Sequence, residues 1–391
     1  MPYPPAPRLE AVETLHGVDV ADPYRWLEAP AAPEVVAWSQ AQDALWAAWR
    51  SRLAGRDRLR ERIDALTPGA VGPPQAAGDR LFFSRRQPGH DHAVYLVVEP
   101  DGRERVLIDP NALGADGTVT LDVAVASKEG RLVAYQLSAG GDEMSTLHVL
   151  DVGTGRAVDG PIALGRAGPV AWLPGGAEFY YVRRAAEAPE GEEQFHRRVW
   201  HRRIGQPPEA DTLVFGEGLD PIAYFGVGTS LDGRWLMVSV ALGTAPRNDL
   251  YLADRHGDGR LRPVQQGVDA QTFGRVHHDG RLYLYTNRDA PRWRLCIADP
   301  TQPRGGWLDL LPETDALLTG YAVTDDAVVA VRARHAVSEV TVHDRATGAA
   351  LGVVALPGLG SAGVVGRPGG GGDVWVTYTD HLSPQRVLRY H

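Results

Sequence analysis

Apolar and polar positions follow two different periods along this chain. Between residues 33 and 49 apolar side chains recur every three to four residues, including Val35, Trp38, Leu45 and Trp49. This spacing predicts an amphipathic α-helix, and a similar pattern over residues 59–66 predicts another. From about residue 72 onward, short runs rich in Val, Leu, Tyr and Phe alternate with turns, which is typical of β-strands.

The first 71 residues form a segment distinct from the β-rich remainder. Residues 1–21 are rich in proline and predicted to be extended. Asp22 can cap a helix that has Pro23 at its first position, where the missing N–H of proline costs nothing. We therefore expect an N-terminal extended and helical segment over residues 1–71 and a β-domain over residues 72–391.

Tight turns divide the β-domain into repeats. Turns that precede a hydrophobic strand begin at residues 127, 173, 230, 277 and 324, with spacings of 46, 57, 47 and 47 residues. Further turns such as 151–155 and 344–348 follow each unit's next strand. Repeats of 40–50 residues with four strands are typical of β-propeller blades, because a single four-stranded sheet exposes both faces and must stack on neighbours.

The predicted fold class is therefore all-β: a seven-bladed β-propeller with a short α-helical N-terminal segment. We expect the last blade to be incomplete. A pair of β-sandwiches and a right-handed β-helix are the alternatives. The repeat is too long for one coil of a β-helix and too regular for sandwiches.

Composition and charge narrow the class of protein. The apolar fraction of 43% and the charged fraction of 23% are typical of a soluble globular protein. The net charge of −9 argues against nucleic acid as a partner, and no apolar run is long enough to predict a membrane span. Cys296 is the single cysteine, and the N-terminus lacks a secretory pattern, so we expect a reducing, cytoplasmic location.

Catalytic and metal-binding motifs are weak. No G-x-S-x-G sequence is present, and the nearest match, residues 228–232, lacks the final glycine. The pairs His90/His92 and His277/His278 lack zinc-site spacing and are predicted to be surface-loop residues, so no metal or cofactor is expected. Cys296 is predicted to be a buried strand residue rather than a nucleophile.

A basic run at residues 196–203 admits two interpretations. It could form a nucleic-acid patch, because basic residues flank an aromatic one. Alternation around Val199 favours an exposed strand instead, with Glu187, Glu190, Glu192 and Glu193 close enough to neutralise it.

Several short motifs, taken in order, resemble those of one enzyme family. They are residues 22–28 with the sequence DPYRWLE, Ala37-Trp38, Ala41-Gln42, and segments 106–111, 116–119, 134–142, 171–172 and 382–384. Together they resemble the prolyl oligopeptidases over essentially the whole chain.

The resemblance implies a two-domain serine peptidase that cleaves short peptides after proline. In that family a propeller caps an α/β-hydrolase domain and restricts substrate entry. The catalytic triad lies entirely in the hydrolase domain. These 391 residues lack that domain, so we expect no catalytic residue in them and no peptidase activity from the chain alone.

The resemblance also implies roles for a few residues. Tyr24, Trp26, Trp38 and Trp46 would dock on the hydrolase domain. Tyr224 and Thr244 would lie on the wall of the substrate cavity, or else be ordinary strand residues. At a wall position where the family often has an arginine, this chain has Ala241.

The expected partners follow from this. They are a missing or separate α/β-hydrolase domain and short proline-containing peptides. A free-standing propeller that binds peptides or proteins, and one half of a split peptidase, are the alternatives. Without a hydrolase domain, we expect residues 1–70 to be rearranged, mobile or buried in a homo-oligomer, because exposed tryptophans favour association.

Overall fold

The computed structural model describes residues 2–114, 117–189, 191–192 and 194–391. It separates into two compact units, Met1–Thr67 and Pro68–His391. Asp116 of the segment 116–119, and Glu190 and Glu193 of the acidic run, lie outside the described residues.

The N-terminal unit contains the two helices that the apolar spacing predicted. Helix α1 covers Pro33–Arg50, with proline in its first turn, and α2 covers Arg56–Leu66 after Gly55, whose φ is 79°. The predicted helix capped by Asp22 is wrong. A single 3-10 turn forms at Arg25–Glu28 instead, and the Asp22 carboxylate accepts a hydrogen bond from Arg25 Nε at 2.9 Å rather than from a helix N–H.

The extended N-terminal region also contains a hairpin that the sequence pattern did not predict. Strands β1 (Val12–Leu15) and β2 (Val18–Ala21) pair antiparallel. They are joined by His16 and Gly17, both with positive φ (52° and 80°). Two consecutive positive φ values match a type I′ turn, whose twist suits a two-residue hairpin.

The unit Pro68–His391 is a seven-bladed β-propeller, as predicted. Blade 1 contains β3 (Ala70–Val71), β4 (Gln75–Ala77), β5 (Arg80–Arg86), β6 (Val94–Val98) and β7 (Glu104–Ile108). Blade 2 contains β8 (Val119–Ala126), β9 (Leu132–Ala139), β10 (Ser145–Asp151) and β11 (Ala157–Gly165). Blade 3 contains β12 (Val170–Trp172), β13 (Glu178–Arg184), β14 (Arg197–Arg203) and β15 (Thr212–Phe215).

The remaining blades continue in chain order. Blade 4 contains β16 (Ala223–Thr229), β17 (Trp235–Leu242), β18 (Asp249–Asp254) and β19 (Arg262–Gln265). Blade 5 contains β20 (Thr272–Val276), β21 (Leu282–Thr286), β22 (Arg294–Ala298) and β23 (Leu308–Leu311). Blade 6 contains β24 (Leu317–Val323), β25 (Ala327–Arg334), β26 (Val337–Asp344) and β27 (Ala350–Val354). Blade 7 contains β28 (Ser361–Gly366), β29 (Val374–Thr379) and β30 (Arg386–Tyr390), three strands within the described residues.

The first strand of each blade lies next to the propeller axis, and these inner strands run in one direction. The propeller therefore has an amino-end face, where inner strands begin, and a carboxyl-end face, where they end. The repeated turns recognised in the sequence join the first strand to the second and lie on the carboxyl-end face. The further turns, such as 151–155, join the third strand to the fourth, not the second to the third.

Apolar clusters connect consecutive blades. Each one combines side chains from two neighbouring sheets; Val199 of blade 3, for example, packs with Val238 of blade 4. Within the described residues such clusters join blade 1 to 2 and so on up to blade 6 to 7. Blade 7 contacts blade 1 through a hydrogen bond from Gln385 Nε2 to the Val71 carbonyl at 2.6 Å.

Candidate functional site

Tyr224 lies at the amino-end face, as the second residue of the inner strand β16. Its side chain is 42% exposed. The guanidinium carbon of Arg197, from the neighbouring blade, lies 3.7 Å from the centre of the Tyr224 ring. This distance places a cation directly over an aromatic face, an attractive arrangement.

Arg197 was predicted to lie on an exposed strand, but its side chain is buried. It is the first residue of β14 and is almost fully buried, and its Nε donates to the Ala223 carbonyl at 3.4 Å. Both faces of blade 3 pack against neighbouring blades, so the residues of β14 are buried or half-buried except Arg203 at its end. The strand signal was visible in the alternation around Val199, which has the same parity as Arg197.

Ala241 lies directly opposite Tyr224 in the β16–β17 pair. Directly opposite residues of antiparallel strands project to the same face of the sheet. The small side chain of Ala241 therefore leaves the space beside Tyr224 open, and Arg197 supplies the nearby cation from another blade. Thr244 lies in the turn after β17 and is exposed.

Further apolar side chains extend this surface around the amino-end face. We call the exposed set the amino-end rim; its members are Ile222, Tyr224, Leu242, Phe273 and Leu317. Beside Leu242 a cavity of about 580 Å³ opens between loops at residues 218–220, 247–249 and 267–269. The rim and the cavity together offer an apolar surface with polar loops, the usual composition of a ligand-binding cleft.

The tryptophans of the N-terminal unit form two pairs. Trp26 and Trp38 meet edge to face at 6.1 Å, and Trp26 Nε1 donates to the Pro7 carbonyl at 3.0 Å. Trp46 and Trp49 are stacked at 5.3 Å and remain about half exposed.

Tyr24, the remaining predicted docking residue, is also exposed in the N-terminal unit, and the guanidinium carbon of Arg8 lies 5.4 Å from its ring centre. A cavity of about 400 Å³ next to Trp46 and Trp49 is lined also by Tyr3 and Leu45. The exposed part of the predicted docking set is therefore concentrated at Tyr24 and along α1.

Two other candidate residues, Cys296 and His277, pack against neighbouring side chains of the propeller. Cys296 is a buried strand residue of β22, as predicted, and burial raises the pKa of its thiol to about 12. His277 is half-buried rather than a surface residue as predicted, because it packs against Tyr283 of its own blade at 4.8 Å and lies 6.2 Å from Tyr321 of blade 6. Burial, assisted by the charge of Arg275, lowers the pKa of His277 to about 3.

Arg202 does not form a basic surface patch. It lies among the largest fully buried side chains and is paired with Asp159 and Asp211. Glu192 contacts His196, near the start of the same basic run. Across the described ranges, no cluster of three His, Cys, Asp or Glu side chains could hold a metal ion. None of the described helices combines the length and apolar character needed to cross a membrane.

The sequence profile described as "Prolyl oligopeptidase, N-terminal beta-propeller domain" matches residues 4–391. The prolyl endopeptidase of Elizabethkingia meningoseptica is 27% identical over 400 residues, covering 100% of this chain and 55% of that protein. The dual function macrocyclase-peptidase POPB of Galerina marginata is 26% identical, covering 93% of this chain and 55% of its own length. The chain thus spans about half the length of these curated relatives.

Solved structures agree in fold. One, from a study of two prolyl endopeptidases and their inter-domain dynamics, superimposes with a TM-score of 0.89 at 30% identity, covering 99% of this chain and 58% of that one. Prolyl oligopeptidase B of Galerina marginata, bound to a 35mer substrate, gives a TM-score of 0.85 at 23% identity, covering 100% of this chain and 58% of that one. With the propeller, its rim and the profile match over residues 4–391, the chain belongs to the prolyl oligopeptidase family and contains that family's N-terminal β-propeller domain.

Proposed function

We propose that this chain is the substrate-gating portion of a prolyl oligopeptidase-type serine endopeptidase, and that it has no peptidase activity of its own. The hydrolase domain that completes the enzyme supplies the nucleophile, and the propeller limits access to short peptides that are cleaved after proline. The observation that carries the proposal is a match to the family's N-terminal β-propeller domain over residues 4–391, in a sequence without a G-x-S-x-G motif.

The amino-end rim is the surface proposed to face the substrate. Tyr224 offers an aromatic ring that can pack against a peptide's apolar side chains, and Thr244 offers a hydroxyl in an exposed turn. Arg197 holds one face of the Tyr224 ring in place, so the ring is oriented before a peptide arrives.

The junction of blades 7 and 1 supports a gating role. Apolar clusters shared by two blades join the other pairs, whereas at this junction the Gln385–Val71 hydrogen bond links the blades and the buried cluster of Phe83, Val94 and Leu96 belongs to blade 1. We infer that the ring widens at this junction, where no apolar cluster shared by the two blades is found among the described residues.

The N-terminal unit provides the proposed docking surface for the hydrolase domain. Trp46 and Trp49 are large, stacked and half exposed, and Tyr24 is exposed nearby in sequence. Tryptophan and tyrosine are enriched at the centres of protein interfaces, where burial of their rings contributes most of the binding energy.

A reconstitution experiment tests the proposal. The purified 391-residue chain is assayed with a chromogenic proline-linked peptide and with a fluorophosphonate that labels activated serines. We expect neither turnover nor labelling. The chain is then fused or co-expressed with an α/β-hydrolase domain of the same family, and turnover should appear and favour short peptides over long ones.

Three outcomes decide between the candidates. Turnover by the isolated chain, purified free of host peptidases, refutes inactivity. A reconstituted enzyme that cleaves a long unfolded protein as fast as a short peptide refutes gating. Saturable binding of proline peptides by the isolated chain, with no activity after reconstitution, supports a free-standing binding module instead.

A further inference from the structure

A second cavity lies on the propeller axis at the carboxyl-end face, opposite the amino-end rim. It measures about 470 Å³, and its walls come from the ends of inner strands in five blades and from the turn after β28. The basic side chains in its lining are Lys128, Arg275, His277 and Arg367. Within the described part of the chain, no Asp or Glu lines this cavity.

The cationic lining stands out because the whole chain has a net charge of −9. Lys128 is the single lysine of the sequence. Its ammonium extends from blade 2 to blade 4 and donates to the Ser230 carbonyl at 2.6 Å, with the Thr229 carbonyl at 3.4 Å. An ammonium has three N–H donors, so at least one remains for a ligand.

The two arginines have unused guanidinium groups. Among the described residues, neither Arg275 nor Arg367 has a side-chain hydrogen bond or an ion pair, although Arg367 lies 5.4 Å from the Trp375 ring centre. Arg275 lies close enough to Lys128 and His277 for its charge to add to burial in lowering the pKa of both. Three positive side chains therefore line a space whose walls contain no carboxylate, while the charges of Asp232 and Glu129 outside the walls partly offset the lowering of the Lys128 pKa.

The carboxylates whose charges act on Lys128 and His277 lie outside the lining, and most of their oxygens have other partners. Glu129 Oε1 accepts the Gly175 N–H at 2.7 Å, whereas its Oε2 is buried without a hydrogen bond. Asp232 Oδ1 accepts the Ser230 hydroxyl at 2.5 Å and the Arg234 N–H at 3.1 Å. Asp279 accepts the Tyr283 hydroxyl at 2.8 Å and pairs with Arg345 at 3.3 Å.

We propose that this axial cavity binds a small tetrahedral oxyanion, such as inorganic phosphate, through Lys128, Arg275 and Arg367. Guanidinium and ammonium groups form short, charge-assisted hydrogen bonds with phosphate oxygens. Because the three residues belong to blades 2, 5 and 7, the bound anion links sheets that do not touch one another. It thereby stabilises the ring from its axis, including blade 7.

The test is isothermal titration calorimetry of the 391-residue chain with phosphate, at constant ionic strength set by chloride. We expect saturable binding with one site per chain and a rise in Tm with phosphate concentration. Arg275→Gln and Arg367→Gln should each weaken binding by roughly tenfold or more, since each removes a charge-assisted hydrogen bond. Arg260→Gln, which removes an exposed arginine from the turn before β19, is the matched control and should bind like the wild type.

Circular dichroism establishes that the variants are folded before they are titrated. Absence of saturable phosphate binding, or equal affinity in the wild type, Arg275→Gln and Arg367→Gln, overturns the site. Equal stabilisation by acetate at the same concentration overturns the choice of a tetrahedral dianion. None of these outcomes depends on peptidase activity, so the site and the proposed function fail or succeed separately.

Discussion

Arg202 of blade 3 forms a two-pronged ion pair with Asp159 of blade 2. Arg202 Nε lies 2.8 Å from Asp159 Oδ2, and Arg202 Nη2 lies 2.7 Å from Asp159 Oδ1. The Arg202 side chain is 1% exposed, and its Nη1 also binds Asp211 at 3.0 Å. Asp211 in turn accepts the Tyr181 hydroxyl at 2.6 Å, so the polar groups of this interface satisfy each other.

Removal of Arg202 should strongly destabilise the propeller. The variant Arg202→Ala leaves Asp159 without its cation and Asp211 with Arg183 alone, 4.0 Å away, and we expect a loss of about 3–5 kcal/mol in the free energy of unfolding. Urea unfolding followed by tryptophan fluorescence measures it. Arg203→Ala is the control, because its ion pair with Glu178 is exposed and should contribute well under 1 kcal/mol. Equal losses in the two variants would show that burial does not set the strength of these pairs.

Lys128 should make the free energy of unfolding rise with pH above about pH 8. Burial, with the charge of Arg275, lowers its pKa from 10.5 to about 8. Between those two values the unfolded chain binds more protons than the folded chain, so the free energy of unfolding rises with pH across that window. Solvent screening keeps the gain at or below about 3 kcal/mol.

The comparison that isolates this effect uses Lys128→Met. Tyrosines with raised pKa values, such as Tyr283, lower the stability above about pH 10 in both proteins and cancel in the difference. Urea unfolding at pH 7.5 and 9.5 should therefore show a larger rise, or a smaller fall, for the wild type. The same pH slope in the two proteins would mean that the Lys128 ammonium is solvated in the folded state.

Sequence pattern predicted the fold well because its signals are local. Residues such as Gly233, with a φ of 73°, mark a turn wherever they occur, and their regular spacing revealed the blades. The same local signals failed at residues 22–28, where the Asp22 carboxylate binds an arginine side chain instead of a helix N–H. Whether a carboxylate caps a helix depends on which hydrogen-bond donor it pairs with in the folded chain. The local sequence pattern does not specify that donor.

The burial of individual side chains was harder to predict than the secondary structure. The basic run 196–203 was assigned correctly to a strand, but Arg197 and Arg202 are buried because blades pack on both faces of β14. His277 was expected on the surface and is half-buried, beside Tyr283 of its own blade and Tyr321 of blade 6. Their partners, Tyr224 and Asp159, are tens of residues away in sequence, so no local pattern could identify them.

Cys296 should be inert in the folded protein. Burial, with a hydrogen bond from its thiol to Asp309 at 3.2 Å, raises its pKa to about 12, so the thiolate is scarce at neutral pH. Ellman's reagent should report no free thiol under native conditions and one per chain in guanidinium chloride. Rapid modification of the native protein would place Cys296 on an accessible or transiently open surface.

The Tyr224 ring should affect substrate binding in a reconstituted enzyme. We expect Tyr224→Ala to raise KM for a short proline peptide several-fold and to change kcat little, because the ring would hold substrate without contacting the reacting atoms. Leu351→Ala, at an exposed position on the outer strand β27, is the control. A fall in kcat at unchanged KM would assign Tyr224 a role in the chemical step or in domain closure rather than in binding.

Trp46 and Trp49 should control association of the chain. The double variant Trp46→Ala/Trp49→Ala removes the stacked, half-exposed pair on α1, and we expect weaker binding to a hydrolase domain and less self-association of the isolated chain. Sedimentation velocity over a range of concentrations measures both. Leu59→Ala, at an exposed site on α2 of the same unit, is the matched control and should leave association unchanged. If both variants associate like the wild type, the exposed tryptophans are not a docking surface, and the N-terminal unit must recognise its partner through Tyr24 or its hairpin.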